Sequence, residues 1–404
     1  MWTNEPLATG PAMPKRYKIL YFHHAIGLGG APKSLSLLIA GLDKSRFEPI
    51  VVMPKRTNND QVKKMFLDAG AEVIEEVAIR PFHGSEVAPC TSLKSRAYAV
   101  LAYNRLVDCA REIVSKVKPN IVHLNSTCIV GAAKGVHLAF PTLPVIAHVR
   151  EPLLSNWWGR NLARMNRKHV NRFISIDKYG LQTIGGKADQ VGDVIYNFVD
   201  RNKFRADPQS AAQKRMEIGW DGEQTVFLFL SRVSPSNGAL ELAKLVSSVA
   251  ADLDPSARFA FAGFKEPISG YAAEAAKEID QSLICERLAF DPDPVGLINA
   301  ADVVIAPFTT PHSARSVFEG AALGKPAMVS DVPNLLELIV EGETGFSFSL
   351  GDPLQFVSVV EKLCDAGRRQ QFGRAASDFA RENFDQQANV LKTVAVYQKL
   401  LDQR

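Results

Sequence analysis

Short apolar runs, each left by a loop and followed by a helix-length stretch, recur along this chain and constrain its fold more than any other feature. Residues 17–22 (YKILYF), 48–53, 71–77, 120–124, 144–149, 173–176 and 194–196 make a first train. Residues 225–230 (TVFLFL), 258–262, 284–290, 302–306 and 326–330 make a second. Continuous apolar runs of this length read as strands buried on both faces. Strands alternating with helices predict doubly wound parallel sheets. Residues 197–219 lose the alternation and turn polar, which predicts a linker over 201–222. The expected fold class is therefore α/β, with two Rossmann-like domains over 17–200 and 223–384. A flexible leader (1–16) and a last helix from residue 385 flank them. At 404 residues the chain is too long for one ordinary core, which agrees with two.

Ligands of open α/β sheets bind at the carboxyl ends of the strands, so the loops there carry the candidate site. Residues 301–350 hold the most informative one. A strand at 302–306 is followed by a loop rich in Pro and Thr, then by a helix from Arg315 stopped near Gly324. The first N–H groups of that helix, at Arg315, Ser316 and Val317, would face an anion. Glu319 lies one turn further on. The pattern suits a phosphate attached to a hydroxyl-rich group.

In the first train, HHAIGLGGAPKSL follows the first strand. Gly29 and Gly30 read either as a tight strand-to-helix turn or as a backbone cradle. A nicotinamide or flavin site is disfavoured. Pro32 stands where the dinucleotide fingerprint wants a small residue, and the next strand ends Met53-Pro54-Lys55-Arg56 without its acid. Asn125 leaves the strand at 120–124, and His148, Arg150 and Glu151 close the one at 144–149. These four are crevice candidates, whereas His123, inside its strand, reads as a core histidine.

The formal charge of +4 gives no argument for nucleic acid. Five scattered cysteines lack metal-site spacing and suggest reduced thiols in a cytoplasmic protein. No apolar run is long enough to span a bilayer. Residues 155–172 carry Arg160, Arg164, Arg167, Lys168 and Arg172 beside Trp157 and Trp158. That helix reads most simply as a solvated face with aromatics packed inward. The alternative is peripheral contact with an anionic membrane, at the inner face of the cell membrane.

Taken in order, GLGGAPKSL, HVREP, VIYNFVD, SRVSPSNG and FEGAALGKPAMVSDVPNLLELIVEGETGFSF form a recognisable series. The chain resembles the retaining nucleotide-sugar glycosyltransferases of the GT-B fold, group 1 type (family four), over roughly residues 17–400. The resemblance implies two domains facing across a cleft, with the last helix crossing back to the first. It implies transfer from a nucleotide diphosphate sugar to a glycan, lipid-linked or small-molecule acceptor, with no metal or other cofactor. Arg232 and His148 would be catalytic, Arg232 by stabilising the leaving diphosphate and His148 by touching the transferred sugar. Glu319 would accept from ribose, with Arg315, Ser316, Val317, Gly29, Gly30 and Asn237 completing the donor site. Asn125, Arg150 and Glu151 would face the acceptor. Two positions depart from the family pattern. Asn237 stands where it has a lysine, and Pro311 where it has the first of two glutamates. Lys325, Arg315 and His312 are the groups available to compensate. The same departures motivate a second reading, a sugar-nucleotide-binding or scaffold protein of a polysaccharide assembly system.

Overall fold

A computed structural model describes residues 16–90, 92–186, 192–289, 291 and 293–403. The expected leader, apart from residue 16, lies outside them.

The first domain runs β1 (Tyr17–Phe22), α1 (Gly30–Ala40), β2 (Phe47–Pro54), α2 (Asp60–Asp68), β3 (Glu72–Glu76), α3 (Leu93–Val117) and β4 (Ile121–Leu124). It continues with α4 (Val130–Ala139), β5 (Val145–Val149), α5 (Trp157–His169), β6 (Arg172–Ser175), α6 (Lys178–Ile184) and β7 (Gly192–Val194). The sheet order is β3-β2-β1-β4-β5-β6-β7, with every pairing parallel. Side chains alternate across it as the strand period requires. Leu20, Phe22, Val122, Leu124, Val145, Ala147 and Val149 pack with α3, α4 and α5. Ile19, Tyr21, Ile121 and Ile146 pack on the other face.

The second domain runs α7 (Pro208–Ile218), β8 (Thr225–Leu230), α8 (Ala239–Ser248), β9 (Ala257–Ala262), α9 (Tyr271–Asp280), β10 (Cys285–Arg287) and α10 (Pro294–Ala300). Then come β11 (Val303–Ala306), α11 (Arg315–Ala322), β12 (Ala327–Ser330), α12 (Pro333–Leu336), β13 (Gly345–Phe348), α13 (Pro353–Cys364), α14 (Ala366–Asn383) and α15 (Gln386–Asp402). The six-stranded order is β10-β9-β8-β11-β12-β13, again all parallel. Both domains are thus doubly wound α/β units, as the alternation predicts.

The polar stretch expected to be a linker contains α7. Asp207 caps it by accepting from the N–H groups of Gln209 and Ser210, Pro208 opens it, and Gly219 at φ 89° closes it. No residue of α7 is buried, so an apolar-periodicity reading finds nothing there. Polar contacts fix it to the second domain instead. Arg215 donates to the Ala300 carbonyl (2.8 Å) and pairs with Asp302 (3.0 Å), while Lys214 pairs with Asp291 (2.5 Å). α15 leaves the second domain and lays Val390, Val394, Val396 and Tyr397 into the first domain's core. Gln386 donates to the Leu37 carbonyl (2.8 Å), and Asn389 to that of Tyr196 (3.2 Å).

Candidate active site

Each sheet reverses its strand order once, at β1/β4 and at β8/β11. Chain leaving neighbouring strands there diverges to opposite faces and opens a crevice. The two crevices meet in a cavity of about 290 Å³ lined from the first domain by residues 24–32, Arg150, Glu151 and Asn197, and from the second by Arg232, His312 and Arg315. A larger hollow of about 910 Å³ lies at Gly41 and Leu323. Those residues follow the C-termini of α1 and α11, at the opposite edge of the sheets, and the α15 N-terminus that also lines it is already capped by Asp385.

On the second-domain side, the loops after β8 and β11 are laced together. The Thr309 N–H donates to the Ser236 carbonyl (3.1 Å) and its hydroxyl to that of Pro235 (2.7 Å). Gly238 at φ 72° makes this fit possible, since a Cβ there would lie 1.9 Å from the Pro307 carbonyl oxygen. Arg232 stands exposed at the cavity wall. Asn237 does not reach the cavity. It is buried, donates through Nδ2 to the Ser231 hydroxyl (2.6 Å) and accepts from the Ser236 hydroxyl (3.2 Å). The expected donor contact at this position is corrected: a short amide is consumed by the hydroxyls of its own loop.

Helix α11 begins after Ala314, which offers no side-chain cap, so the N–H groups of its first turn remain available to an anion. Ser316 and Val317 are themselves buried, and their side chains do not line the cavity. Arg315 does line it. Its Nε donates to Glu319 Oε1 (3.0 Å), its Nη1 donates to the Ser34 hydroxyl on α1 (3.0 Å), and its guanidinium lies 5.0 Å from the Phe318 ring centre. One side chain therefore bridges the two domains. Glu319 sits behind that guanidinium, paired with it, and is absent from the cavity wall. His312 stacks on Phe308 with centroids 4.1 Å apart and shares its Nδ1 proton with the Thr310 carbonyl (2.9 Å). Burial, with Arg232 adding to it, pulls its pKa down to about 4, so the ring is neutral. Lys325 is turned away and donates to the Asn299 carbonyl (2.8 Å).

On the first-domain side, Gly29 and Gly30 line the cavity where α1 begins. A Cβ on Gly29 would meet nothing within 4 Å, and one on Gly30 would only touch Arg315 Cδ at 3.5 Å. Their bareness therefore leaves room beside the backbone and is not forced by packing. Arg150 Nε donates to Asn125 Oδ1 (2.9 Å) and its carbonyl (3.0 Å), and Nη1 donates to Asn197 Oδ1 (3.3 Å). The Asn125 amide in turn donates to His23 Nδ1 (2.9 Å). Burial, with Arg315 nearby, pulls the Arg150 pKa down to about 9. Glu151 accepts from the Ser85 hydroxyl (2.6 Å).

His148 is buried and does not line the cavity. It shares the face of β5 that carries Ile146, pointing toward α15. Its Nδ1 lies 2.9 Å from His123 Nε2, and His123 Nδ1 lies 2.6 Å from the Tyr397 hydroxyl, itself 3.0 Å from that of Tyr21. Both histidines are buried and neutral: desolvation, with Arg150 adding, lowers His123 to about 3 and His148 well below the ordinary range. The ring expected to touch the sugar is thus held through Nδ1 in a relay that fastens the last helix. Arg150, two residues on and past the strand's end, takes the cavity position. His24, Ser34 and Asn197 were missed in the sequence. The strand-end rule that singles out Asn125 would also have marked His24 and Asn197.

Three guanidiniums (Arg150, Arg232 and Arg315), an uncapped helix N-terminus and a side-chain-free turn therefore surround one small cavity. Such a set is chemically suited to a multiply charged anion. Residues 210–379 match the family described as glycosyl transferases group 1. The second domain is thus similar to the group 1 glycosyltransferases. Among curated relatives it is 32% identical over 199 residues to the D-inositol 3-phosphate glycosyltransferase of Corynebacterium diphtheriae, covering 47% of this chain and 46% of that protein. It is 25% identical over 207 residues to the same-named protein of Thermomonospora curvata, covering 47% of each. The chain spans about half the length of these relatives. Among solved structures, Anabaena HepE in complex with UDP and glucose superposes with TM-score 0.75 at 18% identity, covering 95% of this chain and 100% of that one. The sucrose-phosphate synthase of Thermosynechococcus elongatus does so with TM-score 0.75 at 14% identity, covering 96% and 100%. At these identities the likeness shows the fold, which is GT-B. No helix among the described residues is long and apolar enough to cross a membrane.

Proposed function

We propose that this chain transfers a sugar from a nucleotide diphosphate sugar to a glycan, lipid-linked or small-molecule acceptor, with retention at the anomeric carbon and without a metal. The observation that carries the reading is the convergence of Arg232, Arg315 and the α11 N-terminus on a cavity whose opposite wall belongs to the other domain. When the glycosidic bond breaks, charge gathers on the diphosphate. Preset donors in a cleft stabilise that charge more in the transition state than in the bound donor. The first-domain wall, with Arg150 and Glu151, would then orient the acceptor. The UDP bound to the HepE structure adds support for a nucleotide donor. Glu319 would reach a ribose only after Arg315 turned from it to the diphosphate, so donor binding and release of the Ser34 bridge are coupled in this reading.

The test is release of nucleoside diphosphate from a panel of nucleotide sugars, with excess EDTA present. Turnover with at least one donor, unaffected by EDTA, is expected. A second reading, donor binding without chemistry, is favoured by Asn237 turning inward and by Pro311 in place of an acid. Calorimetric binding of a donor without turnover, in the folded chain with acceptors supplied, would select it.

A further inference from the structure

We infer that the outward face formed by the first three turns of α3 and by α5 docks on a lipid bilayer bearing anionic phospholipids. Helix α3 buries Ala99, Ala102, Leu106 and Val107 as an ordinary surface helix does. Its opposite face is anomalous only at the start. Leu93 is 83% exposed and Leu101 63%, with Tyr98 and Val100 also out. From Asn104 onward the solvent face turns polar, through Arg105, Asp108, Arg111 and Glu112. Trp157, 67% exposed at the start of α5, extends the apolar patch. The two helix starts adjoin: Trp158, next to Trp157, stacks on Phe82 at 4.8 Å and lies under the Arg96 guanidinium of α3 at 5.5 Å.

Charge selects the occupant. Residues 87–107 contain Lys94, Arg96 and Arg105, and residues 152–171 contain Arg160, Arg164, Arg167 and Lys168, with no Asp or Glu in either stretch. The whole chain carries a formal charge of only +4, so this face is basic against a balance that is acidic elsewhere. Trp157, Arg160 and Arg164 follow the three- and four-residue spacing of one helix face and are all exposed. Exposed leucines and an aromatic ring bordered by arginines meet both demands of a membrane surface, apolar insertion and attraction to anionic headgroups. The face also adjoins the cleft. Val87 lines the cavity, and Ser85 of the same loop bridges to Leu153 and bonds Glu151. An acceptor with its tail in the bilayer could present its head to Glu151 and Arg150. That last step rests on the transferase reading; the docking does not.

Flotation of the whole chain with vesicles of phosphatidylcholine alone, or with phosphatidylglycerol added, tests it. Binding is expected only to the anionic vesicles. Leu93→Ser with Leu101→Ser should lower the bound fraction about tenfold, and Arg160→Gln with Arg164→Gln about fivefold for each charge, with thermal melting unchanged because all four side chains are solvent-facing. Binding that neither variant alters overturns the inference. So does a lipid-free dimer in sedimentation velocity that the leucine variant splits, since the patch would then be a contact between copies. Donor hydrolysis without lipid separates the two proposals: vesicle binding by a chain that turns over no donor leaves docking standing and removes the transferase reading, and transfer without vesicle binding does the reverse.

Discussion

At the scale of single residues, the site depends on how few atoms stand between its two second-domain loops. Gly238 is the tightest point. Its φ of 72° is strained for any side chain, and the Pro307 carbonyl occupies the space a Cβ would need. Gly238→Ala should cost more than about 2 kcal/mol, read as a lower urea midpoint with unchanged slope, and should raise donor KM as the Arg232 loop shifts. An unchanged midpoint would mean the two loops are free to separate. Parity also acts at this scale. His148 and Arg150 lie two residues apart, yet the first faces α15 inside β5 and the second enters the cavity beyond its end. The sequence places both at a strand's carboxyl edge, but it cannot say which residue is the last to alternate. The relay through His123 to Tyr397 was hidden for a further reason: its partner lies 274 positions away in the chain.

At the scale of elements, helix ends join the domains. The Glu337 carboxylate, one residue past α12, accepts from the N–H groups of Lys178 (2.8 Å) and Tyr179 (2.9 Å) at the start of α6 and from the Tyr196 hydroxyl (3.2 Å). Asp177 caps the same helix from within the first domain, accepting from the Gly180 N–H. Burial raises the Asp177 pKa to about 7, and the nearby Glu337 carboxylate pushes the same way. Its folded pKa therefore lies above the unfolded value near 4, which is the reverse of a salt-bridged carboxylate. The stability it contributes is full below about pH 4 and is lost as pH rises through 7. Asp177→Asn should remove that decline, seen as a flatter profile of denaturation midpoint against pH between about 4 and 7. A variant profile as steep as the parent's would place the proton elsewhere. Most strands were legible to within a residue or two, because continuous apolar runs between turn residues have few other fates. Helix α7 was not, since its stabilising contacts are polar and its apolar face is missing.

At the scale of the molecule, two sheets of similar winding face each other through their switch points, and α15 returns to the first domain to hold them. The first domain's core is closed by the chain's own last helix, through Val390, Val394 and Tyr397. Relative movement of the domains must therefore flex residues near the Val199–Asp385 bridge, where the chain crosses between domains. Such movement would remake the Arg315 contact, which binds Ser34 on one side and Glu319 on the other, and the Glu337 contacts with α6. The sequence indicated Arg150, Arg315, Gly29 and Gly30 through their positions after strands, and Arg232 through the family resemblance. It did not indicate that Glu319 and Asn237 are engaged internally, because that depends on partners brought in by folding. Arg232 is exposed in the cavity, and the account assigns it to the leaving diphosphate. The most direct measurement is kcat for nucleoside diphosphate release, in EDTA, for the parent chain and for Arg232→Ala. The account predicts turnover by the parent and a loss of about 10²–10³ in kcat for the variant, the effect of removing one preset charge-stabilising group, with the fold intact. Equal kcat in the two proteins, or a folded parent that turns over no nucleotide sugar, would contradict it.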